Sequence, residues 1–85
     1  MYKKAIYDLA TGFTLRNLHD ESRLPREKVA DVLEIDELTV TRIEIGEDRM
    51  SAGDLVLLLD LFDVTWDEFL AKVKSNLAKA EAALS

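Results

Sequence analysis

Apolar residues recur along this chain at spacings of three and four and rarely alternate, which is the pattern of helices with one buried face. Leu15 and Leu18 share such a face and Pro25 stops their run, so a helix is expected near Thr14 to Ser22. Ahead of it, Tyr2, Ile6, Leu9 and Ala10 fit either a short helix or an extended arm, and Gly12 separates that stretch from the next. Pro25 suits a first helical turn, and Val29, Ala30, Val32 and Leu33 then give the apolar face of a helix over about Arg26 to Glu34. Asp36 is a suitable N-cap for a helix over Glu37 to Ile45, in which Val40 and Ile43 share a face. Gly46 stands where a left-handed C-terminal cap is wanted. Ser51 with Asp54 has the spacing of a capping box, Asp replacing the usual Glu, and opens the apolar run Leu55 to Phe62. Thr65 with Glu68 repeats the device ahead of Trp66, Phe69 and Leu70. From Lys72 onward, alanines with scattered Lys and Glu favour helix but supply few large side chains to bury, so this end is expected to fray.

The two short helices in the middle meet through the turn Glu34-Ile35-Asp36, with Ala30 and Val40 available for close packing. That is helix-turn-helix geometry: Ile35 plugs the turn, Val40 and Ile43 pin the inner face of the second helix, and its outer face is left for a groove or a partner. The run Val29-Ala30-Asp31-Val32-Leu33-Glu34-Ile35-Asp36-Glu37-Leu38-Thr39-Val40-Thr41-Arg42-Ile43-Glu44-Ile45-Gly46 resembles the phage-repressor and Cro-like (xenobiotic-response-element type) helix-turn-helix family. Its most specific part is Arg42-Ile43-Glu44-Ile45-Gly46, and the helices at Leu55 to Phe62 and Trp66 to Leu70 extend the likeness to about Leu15 to Leu70.

The resemblance implies an all-α, five-helix, lambda-repressor-like bundle with an additional N-terminal segment and a C-terminal helical tail. The corresponding divisions are 1–12 for an N-terminal arm or short helix, 13–71 for the helix-turn-helix domain and 72–85 for the tail. It implies a DNA-binding transcription regulator, usually a dimer, whose recognition helix begins at Asp36 and Glu37. Positions that contact DNA in relatives fall on Arg26, Asp36, Glu37, Leu38, Thr41, Arg42 and, in the following loop, Ile45, Glu47, Asp48 and Arg49. It also puts His19 where relatives often carry an Arg paired with a Glu at the position of Glu44, so a His19–Glu44 pair is expected to tie the first bundle helix to the recognition helix.

Composition narrows the choice of chemistry. The chain has 85 residues, which allows one domain. It has no Cys and one His, so no thiolate or multi-His metal site is expected. No pairing of nucleophile with base and no phosphate-binding loop stands out, so neither an enzyme nor a cofactor is expected, and every carboxylate pair has a capping or surface explanation. The longest unbroken apolar run, Leu55 to Leu59, is far short of the roughly 18 residues a membrane span requires, and a cytoplasmic protein is expected.

Charge complicates the DNA-binding expectation. Formal net charge is −6, the wrong sign for a plain electrostatic binder of phosphates. The excess is concentrated: residues 29–68 carry twelve acidic and two basic side chains, whereas both flanking segments are mildly basic. Arg26, Arg42 and Arg49 suit guanine edges or phosphates, and Glu37 suits a cytosine amino group. Asp36, in contrast, takes the helix N-terminus where a phosphate would otherwise bind, and Glu47 and Asp48 repel the DNA backbone. Two functions compete. One is a regulator that binds a double-stranded operator as a homodimer with weak or partner-dependent affinity. The other is an antirepressor or co-regulator on the same fold, which meets a second transcription regulator through Leu38, Ile45, Glu47 and Asp48. Five of the six residues Val56 to Leu61 are apolar, more than one helix face can bury, so Val56, Leu57 or Leu61 is expected at an edge where a second subunit or the C-terminal helix covers it.

Overall fold

The computed structural model describes residues 2–84 and holds six helices among them, with no strand. Met1 and Ser85, the outer ends of the two expected terminal segments, and the side chains of Tyr2 and Lys3 lie outside what is described. The helices are α1 (Tyr2–Ser22), α2 (Arg26–Leu33), α3 (Glu37–Glu44), α4 (Ala52–Phe62), α5 (Trp66–Ser75) and α6 (Leu77–Leu84). No helix among the described residues is long and apolar enough to cross a membrane.

The largest departure from the sequence reading is α1, a single helix that runs through Gly12 without a break. Glycine inside a helix costs about 1 kcal/mol relative to alanine, and tertiary packing on both sides offsets that cost. Ile6 and Ala10 before Gly12, and Leu15 and Leu18 after it, are all buried. The reason for glycine is space: a Cβ at this position would lie 2.7 Å from the Ile43 carbonyl oxygen and 2.9 Å from that of Glu44. Gly12 is where the backbone of α1 touches the C-terminal end of α3.

The starts of α3, α4 and α5 carry side-chain caps, whereas that of α2 does not. Pro25 occupies the cap position ahead of α2, one place earlier than a first helical turn, and α2 stops at Leu33 because Glu34 takes the left-handed conformation (φ 56°). The Ile35 N–H then donates to the Ala30 carbonyl at 3.0 Å, closing the turn into α3. Ser51 Oγ accepts from the Asp54 N–H at 3.1 Å to start α4, and Thr65 with Glu68 forms a reciprocal capping box at α5.

α1 packs against α3, α5 and α6, while α2 packs against α3 and α4. At the C-terminal end, Leu77–Leu84 form α6, which lies along α1 and buries Ala80 completely. The corner between α5 and α6 is held by Asn76, whose side-chain amide donates to the buried Thr14 hydroxyl at 2.9 Å. Thr14 in turn donates to the Ala10 carbonyl at 2.8 Å, so neither group is left without a partner. Because α6 covers α1, it leaves α4 uncovered, with Val56 and Leu57 exposed and Leu61 half-buried against the core.

Candidate nucleic-acid interface

α3 presents two chemically distinct faces. Val40, Ile43 and Glu44 are buried against the bundle. At 100° per residue the opposite side carries Leu38 and Arg42, with Ile45 at the C-terminal cap, and Glu37 and Thr41 on its flank. Leu38 is 61% exposed and Ile45 42%. The Thr41 side chain is half-buried, its hydroxyl donating to the Glu37 carbonyl at 3.3 Å.

The start of α3 is held by Asp36, whose carboxylate accepts from the Thr39 N–H at 2.7 Å. Hydrogen bonds from the Thr39 side chain and then from its N–H hold the Asp36 carboxyl below its ordinary value, with a smaller contribution from the Arg42 charge. The ionised carboxylate is therefore favoured in the folded state. Its contribution is fully present above the ordinary value of 3.8 and fades as pH falls through the lower folded value. Asp36→Asn keeps a capping oxygen but does not titrate. Denaturant melts at about pH 5 and about pH 2 should show wild type losing more stability on acidification than Asp36→Asn. Equal losses would remove this role.

Glu44 is the centre of a buried polar junction. It is 5% exposed, with Oε2 2.7 Å from His19 Nδ1 and Oε1 3.1 Å from an Arg26 guanidinium nitrogen. His19 Nε2 lies 3.0 Å from the Leu24 carbonyl. Both ring nitrogens thus face acceptors. Phe62 stacks on the imidazole at 6.4 Å between centroids. The junction joins α1, the start of α2 and the inner face of α3, and so sets how α3 sits in the bundle.

Of the three arginines expected at DNA, two are engaged within the chain. Arg26 is drawn to Glu44, although 41% of its side chain remains exposed. Arg49 Nε donates to Asp8 Oδ2 at 2.9 Å, a contact from the loop after α3 back to α1 that no local pattern announces across 41 positions. Arg42 is exposed and makes no salt bridge within 4.0 Å among the described residues, although its charge acts on Asp36. In the same loop the Glu47 and Asp48 N–H groups donate to the Arg42 carbonyl at 2.9 and 3.3 Å. Gly46 is left-handed (φ 81°), with its missing Cβ position 3.0 Å from Leu9 Cα. The Glu47 side chain is exposed and Asp48 half-buried. Leu38, Arg42 and Ile45 therefore form one outward ridge, Asp36 and Glu37 mark one end of it, and Arg26 and Arg49 approach the helix tied to carboxylates.

No curated protein matches the chain. A family model described as a helix-turn-helix domain matches residues 10–71, a segment that begins within α1, contains the α2–turn–α3 unit and ends within α5. With well over half of its length in that match, the chain belongs to the helix-turn-helix domain family, in keeping with the repressor- and Cro-like character of its sequence.

Proposed function

We propose that this protein is a cytoplasmic DNA-binding transcription regulator that lays the outer face of α3 into the major groove and binds its operator with restrained affinity. The observation that carries the reading is the division of α3: its inner face is fixed by Val40, Ile43 and Glu44, and its outer face is open, with Arg42 exposed and in no salt bridge within 4.0 Å among the described residues. Arg42 reads a guanine edge or a nearby phosphate, Glu37 accepts from a cytosine amino group, and Leu38 meets a thymine methyl. Thr41 flanks these contacts, and Arg26 and Arg49 reach phosphates at the edges. Asp36 caps the helix in the place a phosphate would use, so the acidic surface lowers affinity while leaving base readout in place.

The same reading includes a homodimer, since an operator with two half-sites requires two recognition helices. The exposure of Val56, Leu57, Trp66 and Leu70 on α4 and α5 supports it, and sedimentation across a concentration series tests it directly.

The functional test is binding to random duplex DNA in a salt series. Log affinity should fall linearly with log salt, and Arg42→Ala should weaken binding by about 1–3 kcal/mol. Absence of binding at low salt would overturn the reading. A second reading would then stand, in which the ridge meets a basic protein partner such as another transcription regulator, with this chain as antirepressor. The large exposure of Leu38 and Ile45 beside Glu47 and Asp48 favours it, because apolar residues rimmed by carboxylates suit protein better than phosphate.

A further inference from the structure

Residues 2–9 lie ahead of the segment that matches the helix-turn-helix family, and α6 lies beyond it. α6 packs on α1, with Ile6 and Ala10 buried on one helix and Ala80 on the other. The first turns of α1 are anchored in the core by the buried Ile6 and Ala10. They reach the loop that follows the recognition helix at two points. Leu9 lies against Gly46, where any Cβ would be 3.0 Å from its Cα, and Asp8 accepts the hydrogen bond from Arg49 Nε at 2.9 Å.

We infer that Asp8 is a built-in competitor for phosphate: a carboxylate on the leading turns of α1 that holds Arg49 away from the DNA backbone and so sets how much of the recognition loop's positive charge is available. The inference rests on the DNA-binding reading above. Arg49 offers one guanidinium to two acceptors of the same charge, and the geometry of a guanidinium fork suits either a carboxylate or a phosphate. The side chain of Arg49 is 61% exposed and that of Asp8 31%, so the pair is solvated and weak. Exposed ion pairs shift equilibria by no more than about fivefold. That weakness permits exchange, because a phosphate brought close by Arg42 displaces Asp8 without a large barrier. Asp48 lines the same cleft as Asp8 and Arg49 and makes no salt bridge within 4.0 Å among the described residues. It adds to the local negative field that phosphate must overcome. Asp8 thus acts through Arg49 as a positioning residue, and α6 contributes by keeping α1 in place.

The test is a double-mutant cycle in duplex binding, with full-length protein and random duplex DNA across a salt series. Asp8→Asn should raise affinity about two- to fivefold and steepen the salt slope by about one unit, since one more phosphate contact releases about one more counterion. In an Arg49→Gln background the same Asp8→Asn change should leave affinity and slope nearly unaltered, and Asp8→Glu should behave like wild type. An equal gain in both backgrounds would show a general charge effect and overturn the inference, as would no gain in either, and in both cases DNA binding by wild type would leave the functional reading intact. Failure of wild type and Asp8→Asn alike to bind duplex would overturn both.

Discussion

Gly12→Val is expected to lower stability by about 2–3 kcal/mol, which for a domain of this size moves Tm by roughly 10–20 °C. The first added carbon would meet the Ile43 and Glu44 carbonyl oxygens at 2.7 and 2.9 Å and the Gly46 nitrogen at 3.0 Å. These are backbone atoms of the end of α3 and its cap, so relief requires the whole of α1 to move from α3 rather than one side chain to turn. Valine gains only a few tenths of a kcal/mol in helix propensity over glycine, too little to compensate. Gly53 provides the contrast. It is exposed in the first turn of α4, and an added Cβ there would meet only Ser51 Oγ at 3.8 Å. Gly53→Ala should therefore stabilise by about 0.5–1 kcal/mol. Thermal or urea unfolding of the two variants beside wild type checks both signs, and a neutral Gly12→Val would mean that the α1–α3 contact is loose.

Glu44→Ala is the second large effect, a loss of about 3 kcal/mol measured by the same unfolding experiment. The carboxylate is 5% exposed and serves two partners from two other helices. Its removal strands the His19 ring nitrogen in a site closed by Phe62, where water replaces the lost acceptor poorly. Arg26→Ala should cost under about 1 kcal/mol, because its side chain is 41% exposed and a partly solvated ion pair contributes little. The predicted asymmetry is the informative part: an Arg26 effect as large as that of Glu44 would place the strength of the junction in the solvated pair and not in the buried one. Since Glu44 sits on the inner face of α3, the Glu44→Ala protein should also bind DNA more weakly at temperatures where it remains folded, through loss of a fixed helix orientation.

Much of the fold was legible because its signals are local. Asp36, Ser51 and Thr65 each cap a helix within three residues, and those spacings are visible in one dimension. The inner face of α3 was legible for the same reason, through Val40 and Ile43. The His19–Glu44 contact lies 25 positions apart and was indicated only by resemblance to a family, since neither residue marks its partner by pattern. The Asp8–Arg49 pair had no such guide: Asp8 lies outside the matched segment, and an Asp on an amphipathic stretch reads as a solvated face. Gly12 reads as a break in the sequence because a glycine near the middle of a weakly patterned stretch suits a break as well as a close contact, and only the partner backbone distinguishes the two. By sequence the C-terminal end reads as poorly held because it offers few large side chains to bury. Small residues instead let α6 lie close on α1, which buries Ala80 completely.

The sequence by itself determined that the chain is all-helical, where the helix-turn-helix lies, and that its acidic excess falls on residues 29–68, because periodicity, caps and charge are properties of neighbouring residues. Tertiary structure alone decided which charges remain available. Glu44 takes Arg26, Asp8 takes Arg49, and Arg42 is left exposed on the outer face of α3. Electrostatic pairing depends on distance through space, so a net charge counted along the chain says how much field there is, while the packing of α1 against α3 and its loop says which arginine can answer it.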